Sequence, residues 1–101
     1  MKVRLFFNAG MSTSLLVNKI RDAAAAEGTE LDICAYPVSE IEERIKGIDV
    51  ALLGPQVGYL KAQVAPVCEA AGVPMDVIPM VDYGMCNGAN VLKFAKQLAG
   101  K

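Results

Sequence analysis

Short apolar runs of β character alternate along this chain with longer stretches in which apolar residues return every three or four positions, and no other feature restricts its fold as strongly. Val3–Phe7 is a continuous apolar-rich run that breaks at Asn8-Ala9-Gly10. Leu15, Leu16, Ile20, Ala23 and Ala24 then recur at helical spacing up to Gly28, a residue suited to ending a helix. Leu31–Tyr36 predicts a second strand closed by Pro37, and Ser39-Glu40-Ile41-Glu42 has the form of a capping box opening a short helix that carries Ile41 and Ile45. Asp49–Leu53 predicts a third strand that ends at Gly54-Pro55. Tyr59–Ala71 reads as a helix kinked or restarted at Pro66, and Met75–Ile78 as a fourth strand. A loop, Pro79–Gly88, leads to a last helix over about Ala89–Leu98, with Val91, Leu92, Ala95 and Leu98 on one face.

Strands separated by helices imply right-handed crossovers, and so an α/β fold: a single four-stranded parallel sheet, order 2-1-3-4, with helices on both faces. In such a sheet ligands bind beyond the carboxyl ends of the strands, where the strand order reverses, here between strands 1 and 3. The loops Asn8–Ser14 and Gly54–Tyr59 would face each other across that point, with Pro79–Gly88 on the same edge. A length of 101 residues suits one domain over 1–101. With 53% hydrophobic residues and a net charge of −1, the chain is globular in composition and lacks the basic excess of a nucleic-acid binder. Met1–Phe7 begins like a secretory leader, but its apolar run stops at Asn8, short of a signal core or a membrane span. It reads as a strand, and the chain as cytoplasmic.

There is no histidine, and Cys34, Cys68 and Cys86 form no CxxC pair. A structural zinc site is therefore not expected, and Cys-His and Ser-His-Asp nucleophiles and phosphohistidine chemistry are excluded. The thiols read as reduced. Cys68 is expected in the core, and Cys34 as a packing residue. Glu40, Glu42, Glu43, Arg44 and Lys46 read as a solvated helix face.

The segment Asn8-Ala9-Gly10-Met11-Ser12-Thr13-Ser14 runs from a strand directly into a helix. Gly10 permits close backbone approach, Ser12 is a candidate N-cap, and the first N–H groups of the helix have no internal partner. With the helix dipole and the hydroxyls of Ser12, Thr13 and Ser14, they make a site for phosphate or a similar oxyanion. The same residues would equally serve a plain capped turn. No lysine follows Gly10 as a Walker A loop requires, and no GxGxxG occurs, so no nucleotide cofactor is expected.

Three segments carry a family resemblance. Asn8–Val17 resembles the first loop of enzyme IIB components of the lactose/cellobiose (chitobiose-type) sugar phosphotransferase family. Leu52-Leu53-Gly54-Pro55-Gln56-Val57-Gly58-Tyr59 is similar to its LLGPQ segment. Asp82-Tyr83-Gly84-Met85-Cys86-Asn87-Gly88, followed by Val91-Leu92, is similar to its YG-containing stretch. The resemblance spans the chain, in order. It implies a protein that takes a phosphoryl group from the phosphohistidine of a IIA partner onto a cysteine at the end of strand 1. From there the group passes to sugar held by the membrane IIC component. A thiolate at a helix N-terminus has a lowered pKa, and the same amides can cradle its phosphate.

The family cysteine lies three residues before the glycine of G-M-S-T-S, and that position is Phe7. A phenyl ring has no lone pair for phosphorus, and neighbouring Asn8 is no acceptor. Three explanations remain open: a relative that binds or regulates without transfer, an introduced acceptor-less variant, or a substitute nucleophile. For the last, Cys86 is the candidate on the same sheet edge, although a small core-type cysteine fits that position as well. Ser12, Thr13 and Ser14 lack a base and read as capping residues. Gln56, Tyr59 and Tyr83 are expected to contact the phosphate loop or a partner, with Asn87 a similar case or an ordinary turn residue. Met11, with Phe7 if its ring turns toward the loop, would give an apolar docking patch.

Overall fold

A computed structural model describes residues 1–8 and 13–100. Ala9, Gly10, Met11 and Ser12, and the roles expected of them, lie outside the described residues.

Strand β1 (Lys2–Phe7) lies inside the sheet, between β2 (Asp32–Pro37) and β3 (Val50–Leu53), and β4 (Met75–Val77) pairs with the far side of β3. All three pairings are parallel and the order is β2-β1-β3-β4, as the alternating pattern predicts. In register, Leu5 stands between Ala35 and Leu52, and Phe7 meets Pro37. β3 is apolar and buried at every position, and β1 over Leu5–Phe7, because both sheet faces are covered there.

Successive side chains point to opposite faces, and each face has its own core. Val3, Leu5 and Phe7 of β1, with Val50 and Leu52 of β3, pack under α1 (Ser14–Glu27) and α5 (Gly88–Ala99), meeting Leu16, Ile20, Val91 and Leu92. Phe6, Ala51 and Leu53 face the other way, against Ile41 and Ile45, Val57, and Val64 and Cys68. Ile41 belongs to α2 (Ile41–Arg44), and Val64 and Cys68 to α3 (Lys61–Ala70). Helix α1 ends at Gly28, whose φ of 75° places it in the left-handed region that glycine reaches without strain. The α1–α5 crossing is close. A Cβ on Gly88 would come within 2.6 Å of the Ile20 nitrogen, so only glycine fits there.

Four local expectations are corrected. The capping box does not form: Val38–Glu40 is a 3₁₀ turn whose Val38 carbonyl accepts the Ile41 N–H. The N-cap position of α2 falls on Glu40, with no side-chain cap. Glu40 instead pairs with Arg44 at 3.1 Å, and the Arg44 guanidinium lies 4.4 Å over the Tyr36 ring. The helix expected over Tyr59–Ala71 forms as α3, but it starts at Lys61, because Tyr59 and Leu60 belong to a preceding 3₁₀ segment, Pro55–Leu60. Pro66 lies inside α3, so of the kink or restart expected there the restart does not occur. Pro66 and Ala62 are both exposed, so water can satisfy the Ala62 carbonyl that loses its usual donor. The loop expected over Pro79–Gly88 contains a short helix, α4 (Met80–Gly84).

Candidate functional site

The chain crosses from one side of β1 to the other between β2 and β3, so the crevice lies beyond Phe7 and Leu53. Three connections meet there. The Gly54 N–H donates to the Phe6 carbonyl at 2.9 Å, and the Ile78 N–H to the Leu53 carbonyl at 2.8 Å, tying the three strand ends together.

Phe7 is the point of convergence. It continues the row of Val3 and Leu5, so its side chain enters the α1–α5 core, and it is only 2% exposed. A Cβ on Gly54 would stand 2.6 Å from Phe7 Cε1, so the bare glycine backbone forms one wall of the ring's space. Tyr83 forms another, with ring centroids 5.8 Å apart and planes inclined by 40°. The ring therefore does not join an exposed patch on the loop. Strand alternation directs it inward.

Of the loop that follows, Asn8 is exposed, and Thr13 is half-buried at the N-cap position of α1. The Thr13 carbonyl accepts the Val17 N–H at 3.0 Å, but its hydroxyl makes no capping bond. Ser14, exposed, is the first residue of the helix, and no acidic side chain lies in the first turn to offset the positive end of the dipole.

Gln56 and Tyr59 sit on the 3₁₀ segment after β3, which buried Val57 anchors to the opposite core. Gln56 is exposed, with Oε1 turned toward Gly54. Tyr59 is 77% exposed. On the third connection, Cys86 is half-buried with a φ of 50°, a left-handed conformation uncommon for a residue with a Cβ. Asn87 caps α5, its Oδ1 accepting the Asn90 N–H at 3.1 Å. Asp82 Oδ1 accepts from Asn90 Nδ2, also at 3.1 Å.

The remaining thiols lie apart. Cys68 is buried in the α2–α3 core, where loss of hydration pushes its pKa up. Cys34 is half-buried on edge strand β2 and belongs to neither core. Among the described residues, no three His, Cys, Asp or Glu side chains cluster as metal ligands would. An open groove of about 610 Å³ lies between α2 and α3, lined by Glu42, Ile45, Lys46 and Val67, at the opposite end of the strands.

One feature of this edge does not stand out in the sequence. The large apolar side chains exposed among the described residues are Leu15, in the first turn of α1, and Tyr59, Met80, Val81 and Met85, on the connections that follow β3 and β4. The available signal was Met80-Val81 and Met85, apolar residues in a segment with no strand or helix period to bury them.

A four-stranded parallel sheet in the order β2-β1-β3-β4, covered by helices on both faces and with its connections gathered at one switch point, defines a small doubly wound α/β domain. More narrowly, the chain belongs to the lactose/cellobiose-specific IIB subunit family of the phosphotransferase system, whose profile matches residues 5–94. It is 50% identical over 95 residues to the galactose-specific EIIB component of Lactococcus lactis subsp. cremoris, covering 89% of this chain and 88% of that one. Identity, length and coverage are the same for the cellobiose-specific EIIB component of Lactococcus lactis subsp. lactis. The oligo-beta-mannoside-specific EIIB component of Bacillus subtilis is 34% identical over 97 residues, covering 96% and 94%. Among solved structures, the cellobiose-specific IIB component of Borrelia burgdorferi superposes with a TM-score of 0.78 at 29% identity, covering 99% of this chain and 94% of that one. The lactose-specific IIB domain of Streptococcus pneumoniae gives 0.85 at 16% identity, covering 97% and 96%, a likeness of fold.

Proposed function

We propose that this chain serves in the cytoplasm as the IIB component of a cellobiose/lactose-type sugar phosphotransferase system, between a IIA-type phosphohistidine protein and a membrane IIC component. Family membership over residues 5–94 carries this reading, with the convergence of three connections on residue 7 as its structural support. The loop Asn8–Ser14 is the oxyanion cradle in this reading, at the uncompensated positive end of α1. The exposed Leu15, Tyr59, Met80, Val81 and Met85 frame that edge for a protein partner. Among the described residues, no helix is long and apolar enough to cross a membrane.

In the family reaction a cysteine sulfur attacks the phosphorus of phosphohistidine, the N–P bond breaks and an S–P bond forms. Phe7 has no lone pair for this step, and its ring is buried. That observation favours a second reading of the transfer step: the chain binds the IIA partner or an oxyanion without carrying the group. The test is intact-mass spectrometry after incubation with phosphoenolpyruvate, the general system proteins and a cognate IIA. The chain should gain no phosphate, Phe7→Cys should gain one, and both should bind IIA. A phosphate on Cys86 or a loop hydroxyl of the unaltered chain would reinstate transfer. Failure of IIA binding together with an inert Phe7→Cys would overturn the IIB assignment.

A further inference from the structure

Helix α4 has only five residues, Met80–Gly84, and none of them is fully buried. A segment this short has no helical stability of its own, so its place depends on tertiary anchors. Met80, Val81 and Met85 are 73%, 67% and 75% exposed. Among the apolar side chains of Pro79–Asn87, Tyr83 alone packs against the α1–α5 core, and the ring it meets is Phe7. Phe7 cannot give way, because Gly54 and the core hold it. The side-chain hydrogen bonds of this segment are exposed: Asn90 Nδ2 donates to Asp82 Oδ1, and the Asn90 N–H to Asn87 Oδ1.

We infer that Phe7 is a positioning residue which, through Tyr83, fixes α4 and with it the exposed ridge of Met80, Val81 and Met85. The residue at the end of β1 thus governs a surface that it does not touch. A smaller side chain there leaves Tyr83 facing a void, and α4 loses its one aromatic anchor. β1 and β3 stay in place, since each is paired on both sides within the sheet. This coupling is independent of whether the chain carries phosphate.

Amide hydrogen exchange on the full chain, read residue by residue by NMR, tests it. The reporters are the N–H groups of Met85, Cys86 and Asn87, which donate to the carbonyls of Val81, Tyr83 and Asp82. Tyr83→Leu should speed their exchange about threefold to tenfold, the effect of losing one aromatic pair, with β1 and β3 amides unchanged. Tyr83→Phe, which keeps the ring, should leave them as they were. Phe7→Leu should act in the same direction, and Phe7→Leu with Tyr83→Leu should add nothing beyond the larger single effect. Unchanged reporters in Tyr83→Leu, additive effects in the double variant, or loss of protection in Tyr83→Phe would each overturn the inference. So would acceleration spread evenly over the sheet.

Discussion

Placing a methyl group on Gly54 tests the packing at the end of β1 directly. Gly54 has φ −63° and ψ 148°, which alanine adopts freely. In open space Gly54→Ala would therefore stabilise by about 0.4–1 kcal/mol, by restricting the unfolded chain. Here the new Cβ would lie 2.6 Å from Phe7 Cε1 and 3.1 Å from Gln56 Oε1. The exposed Gln56 can swing away, but the ring is held by Tyr83 and the core. Forcing such a contact costs about 1–3 kcal/mol, leaving a net loss of roughly 0–2.6 kcal/mol. Phe7→Cys alone should cost about 3 kcal/mol, the low end for deleting a buried phenyl ring, because sulfur fills part of the space. In that background the alanine methyl enters the void, so Gly54→Ala should be neutral or stabilising and the interaction term about 1–3 kcal/mol. Urea unfolding of the parent, both single variants and the double, under reductant, measures each quantity if the m-values agree. A clear gain in stability from Gly54→Ala in the parent, or an effect that is the same in the parent and in the Phe7→Cys background, would refute the argument.

Two further outcomes are expected. Gly88→Ala sets a methyl group against the backbone of Lys19 and Ile20, which no rotamer change can relieve. The clash, about 1–3 kcal/mol, should outweigh a helix-propensity gain of at most about 1 kcal/mol, and thermal melting should show a drop of several degrees; an unchanged Tm would contradict the close crossing. At Asp76, burial raises the carboxyl pKa, but the Lys61 ammonium at 2.9 Å and the Val77 N–H at 2.7 Å outweigh it and hold the value below the ordinary 3.8. A depressed folded pKa means this contribution is present above the unfolded value and lost as pH falls through the folded one. Because both partners are substantially exposed, it amounts to less than about 1 kcal/mol. Asp76→Asn should accordingly flatten stability against pH only in the acid range, and matching acid slopes for the two proteins would contradict it.

The strand order and the two-sided helical cover were legible because β1 and β3 are apolar at consecutive positions, and Gly28 marks the end of α1 without ambiguity. What was not legible was decided by contacts. Ser39 and Glu42 have capping-box spacing, but the 3₁₀ turn at Val38–Glu40 already uses the first N–H, and Glu40 prefers Arg44. α4 is too short to show a period, and only Tyr83 seated on Phe7 gives it a place. At the site, the edge where the loops gather followed from strand order alone. The direction of the Phe7 ring did not, since two apolar neighbours at a strand end leave open which face each takes. The exposed rim at Met80, Val81 and Met85 was missed because a segment without periodicity does not reveal which apolar residues stay in water.

Phe6 and Phe7 are neighbours in the chain but lie on opposite sides of the sheet. The sheet therefore separates the history of one side from that of the other. Substitutions at position 7 must be accommodated by α1, α5 and Tyr83, while Ile41, Ile45, Val57 and Val64 can keep their arrangement around Phe6. This is one physical route by which the residue at a strand end can be rewritten while the scaffold persists. Deleting a single residue from β1 has the opposite consequence: it exchanges the two faces, and no replacement on either side alone can restore them.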